Sequence, residues 1–448
     1  MTLPRAQIAI IGGGLTGSLL AILLARRGFS PVVYERSPHL NDHGVRENRS
    51  INLALAARGI KALKLADAYA TIEPILLPMK GRMIHQPGTG PNLQPYGQWP
   101  EEQTYSVSRT ELNSRLYTLA SNRHGVEYHF GHTCIAVNTD QAELIVESGQ
   151  DRHVVNAEII LAADGAGSVV RQELHKAGLV KVQEKLLDHG YKELSVATTP
   201  EDDFAMAPDA LHLWPRRGFM LIALPNLDRS FTATLFLPNK GVRASFAELS
   251  VETISEFFLQ EFPDVTPLIP ELDREFGEHP TGSLGTIHCK PWSWGHRIVL
   301  IGDAAHAIVP FHGQGMNAAF EDCTELDQLV GRFGNDWPSI VERFEIARIV
   351  NTNAIAQMAL ENYREMRDSV LEEKFRIQKK LAFKLEKIYP DRFIPRYSMV
   401  MFHPEISYAE ALRRGQIQTD IICKLTRNLS SVDEIDAELA AKLVEEHL

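Results

Sequence analysis

The hydrophobic positions near the N-terminus change their period twice within a short stretch. Gln7 to Gly12 ("QIAIIG") is an apolar, β-branched run of strand length. The segment "LTGSLLAILLARRG" has apolar residues at helical spacing and closes on Arg26, Arg27 and Gly28, which are typical stop signals. Pro31 to Glu35 ("PVVYE") predicts a second strand. The order predicts a βαβ unit and a parallel sheet.

A different pattern begins at Leu211. The segment "LHLWPRRGFMLIALPNLDRSFTATLFLP" predicts two or three long strands, with a turn over Pro225 to Ser230 that makes two of them antiparallel. Over His296 to His306 the pattern is again that of a strand in an α/β segment, as at the N-terminus. From about Trp337 the pattern is mostly helical, and the tail "SSVDEIDAELAAKLVEEHL" predicts a serine-capped amphipathic helix.

Composition limits the partners. A chain of 448 residues can form two or three domains. Its net charge of −11 argues against a general nucleic-acid partner, because phosphate binding needs a basic surface. The four cysteines have no metal-ligand spacing. With no signal-like N-terminus and no apolar run near the roughly 18–20 residues that span a bilayer, we expect a cytoplasmic protein without a membrane segment.

The turn after the first strand carries chemistry. Gly12, Gly14 and Gly17 fit the GxGxxG pattern, whose glycines let the backbone approach a pyrophosphate at a helix N-terminus. Glu35 ends the next strand, where a carboxylate accepts from a ribose 2′-hydroxyl. The same carboxylate repels a 2′-phosphate, so FAD or NAD is favoured over NADP here. The alternative is a glycine-rich turn that only packs helix on strand.

Two further motifs pair aspartate with glycine at strand ends. "LAADGAGSVVR" contains Asp164 and Gly165, and "VLIGDAAHAIVPFHGQGMNAAFED" contains Gly302 and Asp303. Asp303 can accept hydrogen bonds from a polyol such as ribityl. The helix predicted to begin at Gly315 would direct its amides and positive dipole end at the N1–C2=O region of a flavin, which stabilises the reduced form. Taken alone, each motif is more often a simple turn.

In this order the three motifs resemble those of the flavin-dependent aromatic hydroxylases, the class that includes para-hydroxybenzoate hydroxylase. Longer runs resemble the kynurenine 3-monooxygenase family: "RSINLAL", "GRMIHQPGTGPNLQPYG", "HGYKEL", "ALPNLDRSFT", "PFHGQGMN", "MALENYREM" and "RFIPRYSM". Eukaryotic members have a C-terminal membrane anchor that this chain does not show, so the resemblance is to the soluble bacterial form.

The resemblance implies an α/β fold with three parts. These are a Rossmann-like FAD-binding domain (residues 1–70, 100–180 and 290–335), a substrate domain with an antiparallel sheet (71–99 and 181–289) and a C-terminal helical region (336–448). The residues that it implies for FAD binding, including an arginine where the class places one, are Gly12, Gly14, Leu15, Thr16, Gly17, Glu35, Arg36, Leu53, Arg109, Asp164, Gly302, Asp303, Gly315, Met316 and Asn317.

The resemblance also implies a substrate site. Arg82, Tyr96, Asn362 and Tyr397 match the positions that hold the amino-acid end of L-kynurenine. A guanidinium pairs bidentately with a carboxylate, and phenol hydroxyls add charge-assisted bonds. Without the resemblance, a surface salt bridge and core packing would be the simpler interpretations. The residues expected around the aromatic end are Leu211, Met220, Ile222, Leu224, Phe236, Pro310, Phe311, His312 and Met366.

The implied reaction is the conversion of L-kynurenine, O2 and NADPH to 3-hydroxykynurenine, in tryptophan catabolism, through a flavin C4a-hydroperoxide. No catalytic side chain and no metal are expected. No second GxGxxG is present for NADPH, and its site cannot be assigned. The alternatives are a flavin hydroxylase of another aromatic acid, such as a salicylate-type substrate, a dehydrogenase using NAD, and a flavin-binding redox scaffold without enzymatic activity. A monomer and a homodimer are equally compatible with the sequence.

Overall fold

The computed structural model describes residues 6–38, 52–241, 244–427, 429 and 431–448, so residues 49–51 of "RSINLAL" lie outside the described part. The strands in chain order are β1 Ala6–Ile11, β2 Pro31–Glu35, β3 Asn52–Leu55, β4 Leu77–Met79, β5 Gly81–Ile84, β6 Asn92–Pro95, β7 Thr104–Ser108, β8 Glu127–Phe130, β9 Thr133–Asn138, β10 Glu143–Ser148, β11 Asp151–Ala162, β12 Lys181–Val196, β13 Ala210–Pro215, β14 Met220–Pro225, β15 Phe231–Pro238, β16 Gly282–Lys290, β17 Ser293–Trp294 and β18 Ile298–Leu300.

The α-helices follow the same order. They are α1 Leu15–Arg26, α2 Ala57–Leu65, α3 Tyr69–Ile72, α4 Arg109–Thr118, α5 Val169–Lys176, α6 Val251–Glu261, α7 Leu272–Glu278, α8 Asp303–His306, α9 Gly315–Phe333, α10 Trp337–Arg367, α11 Glu373–Ile388, α12 Arg396–Met401, α13 Tyr408–Leu425 and α14 Ala437–His447.

The chain divides into two compact units, each built from three separate segments. The first unit contains residues 1–76, 107–186 and 285–356, and the second unit contains residues 77–106, 187–284 and 357–448. The C-terminal helices therefore group with the antiparallel sheet. The functional boundaries predicted from the sequence stay a prediction.

A parallel sheet organises the first unit. β1 lies between β2 and β11, both parallel to it, and β18 and β8 extend the sheet at either side. The predicted βαβ unit is confirmed. Ser18 to Leu24 of α1 are buried, which fits a helix that is apolar all round. The turns that follow the carboxyl ends of β1, β11 and β18 carry the three predicted motifs, and that edge is where such sheets bind ligands.

A mostly antiparallel sheet organises the second unit. Its order is β16, β12, β15, β14, β13, β5 and β6. The hairpin predicted over Pro225 to Ser230 joins β14 to β15, and the Asn226 backbone N–H donates to the Ser230 carbonyl at 2.9 Å. β5 and β13 pair in parallel, with Arg82 opposite Leu211. This register places a charged and an apolar candidate residue side by side.

The end of the chain differs from the prediction in one detail. Ser431 does not cap the final helix, because its hydroxyl accepts from the Asp433 backbone N–H and closes a short 3₁₀ turn. The helix starts at Ala437 instead, where the Asp436 carboxylate accepts from the Leu439 N–H at 3.0 Å. Among the described residues, no helix has the length and apolar character needed to cross a bilayer.

Candidate flavin and substrate sites

The turn between β1 and α1 is too tight for side chains at two of its glycines. Gly12 has a φ of 97°, and a Cβ there would lie 2.5 Å from the Ala163 carbonyl oxygen. A Cβ on Gly17 would overlap the Gly12 carbonyl oxygen. Gly14, in contrast, has open space where its Cβ would stand, so a phosphate can approach the backbone there. These are the close approaches that a dinucleotide-binding turn requires.

Glu35 closes this turn. Its carboxylate accepts from the Gly13 backbone N–H at 2.6 Å and from the Ser37 backbone N–H at 2.8 Å. A carboxylate offers about four lone-pair sites, so room remains for a ribose hydroxyl.

The other predicted residues near this turn are placed as follows: the neighbouring Arg36 is exposed, and Leu53 is half-buried on β3. Leu15 and Thr16 begin α1.

Two buried oxygens beside the turn lack partners. Oδ1 of Asp164 and Oδ1 of Asn113 have no hydrogen-bond donor within the described part of the chain. The other groups of both side chains are used, since Asp164 Oδ2 accepts from the Val170 N–H at 3.3 Å and Asn113 Nδ2 donates to the Gly13 carbonyl at 3.3 Å. Burial raises the pKa of Asp164. Buried acceptors without donors are rare, and these two fit the hydroxyl and N–H groups of FAD. Asn113 was not predicted.

The second Asp–Gly motif lies after β18. Gly302 has a φ of 63°, and a Cβ there would lie 3.1 Å from Thr16 Oγ1. Burial raises the pKa of Asp303, whereas His306 and the exposed Arg109 act to lower it. Burial outweighs these two neighbours, so the charged form of Asp303 is destabilised where no ligand donates a hydrogen bond to it.

Arg171 joins the two Asp–Gly loops and was also missed by sequence reasoning. Its guanidinium donates to the Ala304 carbonyl at 3.0 Å and to the Ala166 carbonyl. The side chain is buried. One arginine thus ties the loop after β11 to the loop after β18. The motif "LAADGAGSVVR" contains this arginine, but its two partners depend on the folded positions of both loops.

The N-terminus of α9 presents backbone N–H groups at the turn that follows Pro310–His312. Gln314 precedes the helix, is buried and makes no side-chain capping bond. The Asn317 side chain is used elsewhere, because Oδ1 accepts from the Ala56 N–H at 2.9 Å while Nδ2 donates to the Ala54 and Gly313 carbonyls at 2.8 Å each. The backbone N–H groups of Gly315, Met316 and Asn317 are thus the groups that this helix end offers an electron-rich ligand.

Four predicted residues meet in the second unit. Arg82 is only 4% exposed, and its guanidinium carbon lies 5.0 Å from the ring centre of Tyr397 and 5.9 Å from that of Tyr96. The two phenol rings stack at 5.4 Å. Arg82 Nη2 donates to Asn362 Oδ1 at 3.3 Å. The structure therefore brings Arg82, Tyr96, Asn362 and Tyr397 together, although their role toward a ligand stays a prediction.

Two charged residues that sequence reasoning missed belong to this cluster. Arg82 Nη1 donates to Glu365 Oε1 at 3.1 Å. Lys379 interacts electrostatically with both Arg82 and Glu365. Burial, together with the repulsion from Arg82, lowers the pKa of Lys379 to about 8. Glu365 lies three residues after Asn362 on α10, and residues at that spacing share a helix face, so the sequence did contain a signal for it. Lys379 lies on α11 and had none.

The phenols and the arginine hold their usual protonation states. Burial raises the pKa of Tyr96 and of Tyr397, so both stay neutral donors. Burial alone would lower the pKa of Arg82, but Tyr397, Glu365 and Tyr96 outweigh it and the pKa is raised. The cluster thus presents a fixed positive charge, two hydroxyls, an amide and a carboxylate.

Apolar side chains line the same cluster. Leu211, Ile222, Leu224, Tyr96 and Tyr397 pack together. Met220 and Phe236 stand opposite each other on β14 and β15 and are buried, and Met366 receives a contact from Asn362 Nδ2 at 3.5 Å. Pro310, Phe311 and His312 form a 3₁₀ turn in the first unit. Their predicted contribution to a substrate site stays a prediction.

Comparison with known proteins agrees with this arrangement. A sequence model described as the FAD binding domain matches residues 5–333. The kynurenine 3-monooxygenase of Stenotrophomonas maltophilia (strain K279a) is 42% identical over 98% of this chain and 96% of its own length. That of Xanthomonas euvesicatoria pv. vesicatoria (strain 85-10) is 43% identical over 97% of this chain and 95% of its own length.

Solved structures share the fold at lower identity. The tetrameric form of 2-methyl-3-hydroxypyridine-5-carboxylic acid oxygenase matches with a TM-score of 0.67 at 19% identity, over 86% of this chain and 98% of that chain. PqsL of P. aeruginosa matches with a TM-score of 0.66 at 18% identity, over 82% and 97%. With more than 40% identity to curated members over 97–98% of its residues, the chain belongs to the kynurenine 3-monooxygenase family and binds FAD.

Proposed function

We propose that the chain hydroxylates L-kynurenine with O2 and NADPH to give 3-hydroxykynurenine, a step of tryptophan catabolism. The names of its relatives and their near-complete overlap support this. Hydride acceptance from NADPH and activation of dioxygen are the chemistry that bound FAD supplies. Gly12, Gly14, Glu35, Asp164 and the start of α9 would hold it. The side chains of the protein bind and orient the other reactants.

The buried guanidinium of Arg82 is the observation that carries the proposal. Its bonds to Glu365 and Asn362 are 3.1 and 3.3 Å, longer than the roughly 2.7–2.9 Å of a strong charge-assisted bond. A ligand α-carboxylate can therefore take a better bidentate geometry on Arg82. Glu365 then has an oxygen available for the α-ammonium group. A zwitterionic amino-acid end matches this pair of opposite charges, and a bare aromatic acid does not.

The apolar residues supply the complementary half of the site. Leu211, Ile222 and Leu224 form a wall beside the two tyrosines, which suits an aniline ring. Fixing both ends of the substrate limits its motion and raises the effective concentration of the ring carbon to be hydroxylated. The same wall keeps water from the ring. The substrate class is therefore an aromatic ring joined to an amino-acid tail.

Two further points complete the proposal. The free thiols Cys134, Cys289, Cys323 and Cys423 and the use of NADPH favour the cytoplasm. The protein acts as a monomer or a homodimer, which light scattering on the purified holoenzyme separates.

The test compares three compounds with the FAD-loaded protein. L-kynurenine is expected to accelerate NADPH oxidation and to gain one oxygen atom from labelled dioxygen, as followed by mass spectrometry. A kynurenine analogue without the amino-acid tail should give a much higher KM, and salicylate no stimulation. Equal stimulation by salicylate would favour a hydroxylase for another aromatic acid. NADPH oxidation that no aromatic compound stimulates would favour a redox scaffold.

A further inference from the structure

A network of charged side chains lies inside the first unit, beside α9. Asp322 is fully buried. Its Oδ2 accepts from the Gly302 backbone N–H at 3.0 Å and from His306 Nε2 at 2.6 Å, and its Oδ1 accepts from Arg348 Nε at 2.7 Å. The carboxylate therefore touches both ends of the turn that contains Asp303, without belonging to the turn itself.

Arg348 extends the network to a second carboxylate. Its Nη1 donates to Glu321 Oε2 at 2.5 Å, and its Nη2 donates to the Ala318 carbonyl at 3.1 Å. Glu321 also accepts from Arg58 Nη1 at 2.5 Å. Two arginines thus balance two acids. Burial acts to raise the pKa of Asp322, but His306 and Arg348 outweigh it and hold the pKa low.

The network ends at Gly302 and His306, which are tightly packed against neighbouring elements. Gly302 has a positive φ and lies between Thr16 of α1 and Ala319 of α9. His306 is stacked on Trp292, with ring centres 5.0 Å apart. Asp322 lies on α9, so its carboxylate links that helix directly to the turn that contains Gly302 and Asp303. All three of its donors lie outside α9.

We propose that Asp322 is a positioning residue for the flavin, which holds the Asp303 turn and the N-terminus of α9 in one arrangement through Gly302, His306 and Arg348. Asp303 and the first amides of α9 then meet the cofactor as a fixed pair. This inference depends on FAD binding alone and not on the identity of the aromatic substrate.

The test uses Asp322→Asn in the holoenzyme. Asparagine keeps the volume of the side chain but replaces one acceptor oxygen by an NH₂ group. That group must face either Arg348 or the Gly302–His306 pair, and all three are donors, so at least one hydrogen bond is lost. The Kd for FAD is measured from the fluorescence of the FAD that is released on dilution. We expect it to rise roughly tenfold to a hundredfold, the effect of losing one charge-assisted bond. The midpoint potential of the bound flavin should fall, because the reduced form depends more on aligned α9 amides. A tenfold greater loss for reduced FAD corresponds to a fall of about 30 mV.

The matched control is Asp327→Asn. Asp327 lies on the same helix, is also buried and accepts from Arg27 Nε and Nη2 at 2.9 and 2.8 Å. It ties α9 to the end of α1 instead of to the Asp303 turn. The control should lose stability while keeping the wild-type FAD Kd and potential. If Asp322→Asn does not fold, Arg348→Lys replaces it, since lysine keeps the charge but has one nitrogen in place of the three that contact Asp322, Glu321 and the Ala318 carbonyl.

Three outcomes would overturn the proposal. An unchanged potential and Kd in Asp322→Asn would leave only a structural role. A potential that rises would mean that the lost negative charge, and not the alignment, matters. Equal effects in Asp327→Asn would show that any ion pair on α9 acts in the same way.

Discussion

Two buried arginines, Arg348 and Arg82, differ in how their guanidinium groups are paired. In the first unit, each of the three guanidinium nitrogens of Arg348 donates a hydrogen bond. The acceptors are Asp322, Glu321 and the Ala318 carbonyl, at donor–acceptor distances of 2.5–3.1 Å. Arg82 in the second unit has one carboxylate and one amide, at 3.1 and 3.3 Å, and two phenol rings over its faces. Both are equally buried, at 3% and 4% exposure.

The difference lies in the balance of charge. Around Arg348, the charges of Arg58 and Arg348 are matched by those of Glu321 and Asp322. Around Arg82, two cations, Arg82 and Lys379, face Glu365. A buried pair with matched charges is typical of a scaffold, whereas an excess of positive charge around a guanidinium held by longer bonds favours the binding of an anion.

The largest expected effect separates the two arginines by stability. Arg348→Ala leaves the fully buried Asp322 without its arginine partner, and it should lower the free energy of unfolding by about 3–5 kcal/mol. Chemical denaturation with tryptophan fluorescence measures this. Arg343→Ala, an exposed residue of the same helix, should change it by less than about 0.5 kcal/mol. A small loss in Arg348→Ala would remove the contrast.

Arg82→Ala should act mainly on the substrate. The loss of charge-assisted bonds to a carboxylate should raise KM for L-kynurenine about a hundredfold. Stability should change little, because Glu365 is partly exposed and retains Lys379 nearby. Lys80→Ala, on the same segment and exposed, is the control with unchanged KM. An unchanged KM in Arg82→Ala would exclude Arg82 from the site.

Lys379 should make this binding sensitive to pH. Because its pKa is about 8 in the folded protein, it loses its proton between pH 7 and 9, and the Kd for L-kynurenine should rise several-fold over that interval. Unfolded lysine titrates near pH 10.4, so this group also makes stability rise with pH between the two values. Lys379→Met should flatten both profiles, and Lys380→Met should not. Parallel profiles for wild type and Lys379→Met would contradict the assignment.

The smallest expected effect concerns Tyr397. Tyr397→Phe keeps the ring stacked on Tyr96 and removes one hydroxyl, worth about 0.5–1.5 kcal/mol, so KM should rise roughly twofold to tenfold. Tyr389→Phe, which packs in a separate cluster of the second unit, is the control. Steady-state kinetics indistinguishable from wild type would show that the Tyr397 hydroxyl makes no contact with the substrate.

Local patterns predicted much of the fold. The strand, glycine turn and helix at the N-terminus are specified by neighbours in sequence, and so is the hairpin after Leu224. The partners of charged residues are not. Asp322 and Arg348, Arg171 and Ala304, and Lys379 and Arg82 are brought together by packing between elements distant in sequence. No spacing rule encodes such pairs, so sequence analysis found Arg82 but not Lys379.

The division of the parallel sheet along the chain has a consequence for synthesis. β11 needs β18 at its carboxyl end, and Arg27 needs Asp327, 300 residues further on. All of residues 187–284 emerge from the ribosome in between. A growing chain therefore exposes an unpaired strand edge and the apolar surface of α1 until about residue 333 has left the exit tunnel, and this interval is when chaperones are most needed.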